Sequence, residues 1–262
     1  MPTVTVLEKL YGSGSPETFE KLYSSLIRGL EVKLRFADTT DRGWIQLDVS
    51  GKDETAALSL LEREVGLAPA SYYAIKKFSV FHGKVVSSKS DEELHVDLGL
   101  SSPKEYDAVI SEKSLHAQLA DGQEAPFRSL IELFCLYNNL PLEVKIAGEV
   151  EDESRIVDAV LSEKQLNLFH IFVRSRFDRL IVLGSLFSDV EDALNRSRHS
   201  RDIIKTESLG VLEQVILCKL GTDAVGLIPK LGRYLNKSAV LVPFLPKKII
   251  ETLGSQAFDL RI

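Results

Sequence analysis

The order of strand-like and helix-like segments between Lys77 and Ser162 limits the fold of this chain more than any other feature of its sequence. Three segments typical of strands come first, one helical segment follows, and two more strands close the series. In chain order the segments are KFSVFHGKVVSS, EELHVDLGL, YDAVIS, FRSLIELFCLYNN, PLEVKIAGEV and SRIVDAVLS. Strand, strand, strand, helix, strand, strand is the order of elements in a five-stranded barrel with one inserted helix. We therefore predict such a barrel here.

The segments on both sides of the barrel predict a second kind of unit. TVTVLEKL alternates as a half-buried strand does, and Ser15-Pro16 is typical of a helix N-terminus. The elements that follow complete a strand, helix, strand, strand, helix order, which is most of a ferredoxin-like βαββαβ unit. The last third of the chain repeats this order and adds a final strand, AVLVPFLP. The predicted α+β domains are a ferredoxin-like βαββα unit at 1–72, a barrel at 73–162, a connecting helix at 163–176 and a second ferredoxin-like βαββαβ unit at 177–262.

Composition favours a cytoplasmic protein with buried cores. Hydrophobic residues make up 44% of the 262 residues and charged residues 27%, which is ordinary for globular domains. No apolar run approaches the roughly 18 residues needed to span a bilayer. Cys135 and Cys218 lie far apart in apolar segments, which predicts buried thiols in a reducing compartment. We therefore expect a cytoplasmic protein with no membrane partner.

The distribution of charge indicates where a polyanion would bind. The net charge of −6 comes from 8 Lys/Arg against 11 Asp/Glu in residues 1–72, 10 against 17 in 73–165, and 14 against 10 in 166–262. The three parts therefore carry −3, −7 and +4. Lys and Arg side chains supply phosphate affinity by neutralising the nucleic-acid backbone, so a polyanion should prefer the last third of the chain.

The predicted barrel has the element order of the OB-fold, which many proteins use to bind oligonucleotides. It resembles the S-one type of OB-fold found in ribosomal and RNA-decay proteins. The matching segments are HGKVV, HVDLG, PLEVKI and SRIVDAVLS. The resemblance implies that His95 on the second strand and Arg155 on the fifth contact RNA, and Lys84 of the first strand is a further candidate. Glu92 and Ser111 depart from the S-one pattern at two expected contact positions, so a barrel that is structural or binds protein is the alternative.

The whole chain is similar to an archaeal family of proteins known mainly as a domain of unknown function. The residues that carry this likeness are HVDLGL, DAVISEKSLHAQLADG, LIELFCLYNNLPLEVKI and LCKLGTDAVGLIPKLGRYL. The architecture, a barrel early in the chain and an α/β unit at its end, is also similar to that of the alpha subunit of an archaeal translation initiation factor. These resemblances imply a role in translation or RNA metabolism.

Two basic segments of the last third are candidate contacts with RNA or another partner. Arg196, Arg198 and Arg201 follow a predicted helix, and their alternative role is pairing with nearby carboxylates and with the helix C-terminus. Lys230 and Arg233 project from GTDAVGLIPKLGRYL, where Gly and Pro residues make the helix irregular. That irregularity indicates either close approach of a partner or packing against a neighbouring element.

No constellation of residues in the sequence indicates catalysis. The five histidines have no metal-ligand spacing, and Walker, G-x-S-x-G and dinucleotide-binding motifs are all missing. We therefore expect no catalytic residue, metal or cofactor, and predict a non-enzymatic factor that binds RNA or a ribosomal subunit. The alternative is a protein–protein adaptor or homodimerising scaffold that binds no nucleic acid.

Overall fold

The structure is a computed structural model that describes residues 3–86, 92–100, 105–121, 123, 125–149, 155–254 and 258. Its architecture is mixed α+β, with one closed five-stranded barrel and two other sheets. The ends of several predicted barrel strands, at 87–91 and 150–154, lie outside the described residues. None of the helices in the described ranges is long and apolar enough to cross a membrane.

The first unit is a three-stranded antiparallel sheet with two helices. Its elements are β1 (Thr3–Lys9), α1 (Pro16–Leu26), β2 (Val32–Thr39), β3 (Trp44–Gly51) and α2 (Glu54–Glu64), with strand order β1-β3-β2. The predicted helix start is confirmed, because the Ser15 hydroxyl accepts a hydrogen bond from the Thr18 amide and Pro16 occupies the first helical turn. After α2 the chain returns to β1 through Gly66, at φ 86°, and pairs there as a short bridge between Val6 and Leu67.

The barrel follows with the predicted strand order along the chain. Its strands are β4 (Val80–Val86), β5 (Glu93–Asp97), β6 (Asp107–Ser111), β7 (Pro141–Ile146) and β8 (Ile156–Leu161), and it closes in the order β4-β5-β6-β8-β7. The pair β6–β8 is parallel and the other pairs are antiparallel. Alternate side chains of these strands fill the interior with aliphatic residues.

Two helices, instead of the single predicted one, connect β6 to β7. They are α3 (Glu112–Leu119) and α4 (Phe127–Leu133). The first is short and buries only Leu115 and Leu119, so its apolar periodicity is weak in the sequence. The second ends six residues earlier than predicted, because Cys135 and Asn139 adopt left-handed backbone conformations that a helix does not contain.

The third unit begins after α5 (Glu163–Arg174), the predicted connecting helix. Its elements are β9 (Arg179–Leu183), α6 (Phe187–Arg196), β10 (Ile203–Ser208), β11 (Glu213–Cys218), α7 (Ala224–Leu231), β12 (Val240–Phe244) and α8 (Pro246–Leu253). The strands pair in the order β10-β11-β9-β12, with every pair antiparallel. Helix α8 follows the strand that the sequence predicts to be the last element, and Pro246 starts it.

The three units share their hydrophobic cores. Helices α6 and α7 cover one face of the β9–β12 sheet, where Val182 and Ile216 meet Leu194 and Leu227. The other face belongs to the same apolar cluster as the barrel, α5 and α8. Aromatic residues join these parts: the ring centroid of Phe134 lies 5.4 Å from that of Phe169 and 6.3 Å from that of Phe244. The barrel and the third unit are therefore one packed body.

The first unit meets the third unit through a close backbone contact. Gly12 has a φ of 63°, and a Cβ added there would overlap the carbonyl oxygen of Gly184. The Ser13 amide donates to that same carbonyl at 2.9 Å, and the Leu186 amide donates to the Ser13 hydroxyl at 3.2 Å. Only a glycine permits the two chain segments to approach this closely.

Candidate functional site

A buried ionic cluster lies where the three units meet, and we call it the ionic junction: Glu8, Tyr11, Lys84 and Glu213. Lys84 Nζ of the barrel donates to Glu8 Oε2 at 2.7 Å and to Glu213 Oε1 at 2.8 Å. The Tyr11 hydroxyl donates to the same Glu213 oxygen, and the Val211 amide donates to Glu8 Oε1 at 2.9 Å. One cation thus holds two carboxylates from two different sheets.

The electrostatics of the ionic junction follow from its burial. Lys84 is 2% exposed and Glu213 is fully buried. Burial lowers the pKa of Lys84, but attraction to Glu213 and Glu8 outweighs it and the pKa is raised. Burial, helped by repulsion from Glu8, raises the pKa of Glu213 despite attraction to Lys84. With two carboxyls and one ammonium, the junction stabilises the charged form of Lys84 and makes ionisation of Glu213 harder than in water.

A second charged cluster ties the first unit to the barrel. Asp97 at the end of β5 is fully buried and accepts hydrogen bonds from Lys9 Nζ and Trp44 Nε1, each at 2.8 Å. Arg42 reaches from the β2–β3 turn to Asp107 in a short hydrogen bond, and its guanidinium also lies 3.7 Å from Asp97. Buried carboxylates with this many donors hold elements in one arrangement, because losing a partner would strand a charge.

The three candidate contact residues of the barrel lie in different environments. Lys84 faces inward and pairs with two carboxylates, so the prediction that it contacts an external partner is corrected: a buried, paired ammonium is not accessible to RNA. His95 is partly buried between Glu93 and Asp107, at 3.4 and 3.7 Å from their oxygens. Arg155 is exposed just before β8. No basic surface forms from these three residues.

The basic candidates of the third unit are all on the surface. We call Arg196, Arg198, Arg201, Lys230, Arg233 and Tyr234 the basic surface, and each of these side chains is exposed. The Arg196 guanidinium carbon lies 4.9 Å from the Tyr234 ring centroid, which joins the end of α6 to the segment after α7. Within the described ranges no carboxylate pairs with its five cations, whereas neighbouring His199 pairs with Asp202 at 2.7 Å. The alternative of carboxylate pairing therefore finds no support at the three arginines.

One glycine of the irregular helix α7 leaves room for the cap of that helix. Asp223 is its N-cap, and its carboxylate accepts a hydrogen bond from the Val225 amide at 3.0 Å. A Cβ on Gly226 would lie 2.7 Å from Asp223 Oδ2, so the glycine makes room for the cap. The capped amide is not available to an external anion, and Lys230 and Arg233 remain the only exposed cations of this segment, residues 222–235.

A cleft of about 770 Å³ separates the first and third units beside the ionic junction. Its lining includes Glu8, Gly210, Leu22 of α1 and Phe187 of α6, and the last two side chains are partly exposed. A Cβ on Gly210 would overlap Glu213 Oε2, an oxygen that has no hydrogen-bond partner in the described structure.

A groove of about 760 Å³ between the barrel, α5 and the end of β10 contains a histidine and a carboxylate, and a serine lies close to them. His82 Nε2 lies 2.9 Å from Glu143 Oε2, and the Ser162 hydroxyl donates to Glu143 Oε1 at 2.6 Å. Burial opposes ionisation of Glu143, but hydrogen bonds from Ser162 and Lys164 outweigh it and lower its pKa. Both Ser162 and His82 are bonded to the carboxylate, so the histidine is not placed to activate the serine as a nucleophile.

The two cysteines are buried and free, as the sequence predicts. Burial raises the pKa of Cys135 to about 12 and, with the charge of Asp178, that of Cys218 to about 11. Neither is a reactive thiolate at neutral pH. Among the residues that the structure describes, no group of three or more His, Cys, Asp or Glu side chains is placed to hold a metal ion.

Sequence reasoning missed the residues of the ionic junction apart from Lys84. A signal was available, because Glu8 and Glu213 are charged residues inside strand segments, TVTVLEKL and LEQVILCKL. In such segments one face is buried, and a carboxylate on it needs a cation. The sequence cannot say which cation, since Lys84 is 76 residues from Glu8 and 129 from Glu213.

Fold and site together define a mixed α+β protein in which a closed barrel is held between two sheets by buried ion pairs. Two family models match the chain: the DUF2110 N-terminal domain over residues 3–71 and the DUF2110 C-terminal domain over residues 177–242. These matches cover more than half of the chain, which therefore belongs to the DUF2110 family, an uncharacterised family. The barrel lies between the two matched segments.

Comparisons with other proteins add little to the family assignment. No curated protein matches the chain. The crystal structure of a Thermus thermophilus protein is similar at 13% identity, covering 98% of this chain and 43% of that one, with a TM-score of 0.20. The chain thus spans less than half of that protein's length, and a score this low supports no conclusion about fold or function.

Proposed function

We propose that the protein is a non-enzymatic cytoplasmic factor that binds RNA through the basic surface of its third unit. The observation that carries this proposal is the set of five exposed cations, unpaired within the described ranges, together with the Arg196–Tyr234 contact. Exposed arginines beside an aromatic ring supply both phosphate neutralisation and a stacking surface for a base. The charge of +4 on the last third of the chain supports the same site.

The strand orders support a finer description of the fold. We interpret the barrel as an OB-fold of the S-one type, because its helices follow the third strand and its third and fifth strands are parallel neighbours. We interpret the third unit as ferredoxin-like, since its βαββαβ elements form one antiparallel sheet with both connecting helices on one face. The first unit has the same order with a single bridge at Leu67 in place of its last strand.

The barrel has a supporting role in this proposal. Its charge is −7 by sequence, Lys84 is internal, and acidic side chains flank His95. A surface of that sign repels the RNA backbone. The barrel therefore fixes the position of the third unit, and RNA, including that of a ribosomal subunit, meets the protein at the basic surface.

Fluorescence anisotropy with a labelled structured RNA and a labelled single strand tests the proposal. Affinity for a single strand should fall with salt at a slope of about 0.7 per neutralised phosphate. Replacing Arg196, Arg198 and Arg201 together by Gln should therefore reduce the slope by about 2 and weaken binding at low salt. We expect a loss for both single-stranded and structured RNA, because the three arginines contact phosphates, which both RNAs present.

The matched control removes three exposed cations from the first unit: Arg28, Lys33 and Arg35, each changed to Gln. It alters the net charge by the same amount and should leave the salt slope unchanged. Equal losses in the two triple variants would mean that RNA responds to net charge alone, and the basic surface would then not be the site. Absence of binding by the unaltered protein at low salt would reject RNA binding altogether.

A further inference from the structure

Among the residues that the structure describes, no strand pairs with the outer edge of β10, which is one edge of the third sheet. It lies at the end of the order β10-β11-β9-β12, and its side chains Ile204, Lys205, Glu207 and Ser208 are exposed. The opposite edge is β12, where Pro243 removes a backbone donor. Of these two edges, β10 therefore presents the more complete set of free hydrogen-bonding groups.

The hydrogen-bonding pattern shows which residues of β10 point outward. The Leu209 amide donates to the Glu213 carbonyl at 2.8 Å, at the hairpin end of the β10–β11 pair. Hydrogen-bonded pairs alternate along an antiparallel ladder, so Glu207 and Lys205 also bond to β11. The amide and carbonyl groups of Thr206 and Ser208 then point away from β11, toward the open edge.

The side chains along this edge are self-complementary about Thr206. Lys205 and Glu207 lie on one face of the strand, 55% and 45% exposed, and their charged groups are 2.6 Å apart. In an antiparallel pair of two β10 strands centred on Thr206, each Lys205 lies opposite the Glu207 of the other copy. The central residue is then a hydrogen-bonded pair, which is the pairing its outward amide and carbonyl require.

Two further side chains of β10 are compatible with a second copy of the chain paired to this edge. The Thr206 hydroxyl is buried and has no hydrogen-bond partner in the described structure. The Thr206 side chain as a whole is only partly buried, and in the symmetric pair it would lie beside the equivalent Thr206 of the other copy. Thr–Thr pairs across strands stabilise sheets. The exposed apolar side chain of Ile204 would lie opposite Ser208 of the other copy and lose contact with water.

We propose that two copies of this chain associate through β10, antiparallel and centred on Thr206, to form one continuous eight-stranded sheet. The competing explanation is that Lys205 and Glu207 protect the edge by their charge, since natural edge strands often carry lysine for that purpose. Charge reversal at either position distinguishes the two. Edge protection needs only charge, whereas the dimer needs opposite charges at equal distances from the symmetry axis.

Sedimentation velocity on the full chain without RNA, from about 1 to 100 μM, tests the dimer. We expect a concentration-dependent shift from one chain to two. Lys205→Glu and Glu207→Lys each place like charges opposite one another twice, and each should weaken the dimer by about tenfold or more. An equimolar mixture of the two variants should restore it, because every Glu then faces a Lys.

Controls separate the dimer from folding and from RNA binding. Lys52→Glu disrupts a comparable exposed pair, Lys52–Glu31, in the first unit and should leave the dimer intact. The triple variant of the basic surface should also dimerise, since its residues lie outside β10. An unaltered protein that stays a single chain at 100 μM overturns the proposal, and so does a mixture of the two variants that associates no better than either alone.

Discussion

Replacing Lys84 by Met tests whether the ionic junction holds the three units together. Met has nearly the same length and fills the same buried space, so the change removes the charge with little change of packing. The variant loses hydrogen bonds to Glu8 and Glu213, both buried, and leaves two carboxylates without a cation. Breaking a buried ion pair from one side costs about 3–5 kcal/mol.

The expected loss is a large fraction of the stability of a typical domain, which is about 5–15 kcal/mol. Urea unfolding followed by circular dichroism at pH 7.5 measures it as a shift of the midpoint at unchanged slope. Lys52→Met is the control, because Lys52 pairs with Glu31 on the surface and such pairs contribute about 0–1 kcal/mol. If Lys84→Met lowers the free energy of unfolding no more than the control does, the ionic junction does not hold the three units together.

A triple variant tests the role of charge in the ionic junction in a second way. Changing Lys84 to Met together with Glu8 and Glu213 to Gln removes every charge from the junction. Replacing a whole buried ion cluster by neutral groups is often much less costly than removing one partner. We therefore expect the triple variant to recover stability relative to Lys84→Met alone. A triple variant less stable than the single one would mean that hydrogen bonds, and not charge, dominate the junction.

Two further predictions follow from the geometry of the contacts between units. Because the pKa of Glu213 is raised, the folded state keeps a proton that the unfolded state loses, and the free energy of unfolding should fall as pH rises from about 4.3 to the raised pKa. Glu213→Gln should make the free energy of unfolding less dependent on pH, as measured by urea unfolding at several pH values. A variant with the same pH profile as the unaltered protein would contradict this prediction. Gly12→Ala should lower the free energy of unfolding by more than about 1 kcal/mol, measured by thermal or urea unfolding, because the residue has a φ of 63° and a Cβ there overlaps the Gly184 carbonyl. Gly29→Ala is the control and should cost less, because Gly29 has a φ of 98° but open space around it, so that only backbone strain is added.

The barrel shows which parts of the fold local sequence patterns predict well. Its five strands appear in the predicted order: β7 and β8 alternate buried and more exposed residues, and the others are short apolar segments bounded by polar turns. Helix α3 was missed because it is eight residues long with two buried side chains, too few for a periodic signal. Helix α8 was missed because its start, a proline after a strand, was interpreted as the end of that strand.

The sequence by itself determined the strands, most of the helices, the buried thiols and the position of the basic segments, because these depend on neighbours within a few residues. Only the tertiary structure decided that Lys84 is internal, since its environment is made by Glu8 and Glu213 from two other units. The same holds for the exposure of Arg196 beside Tyr234 and for the free edge of β10. Burial and pairing of a charge depend on residues far away in the chain, and a local pattern carries no information about them.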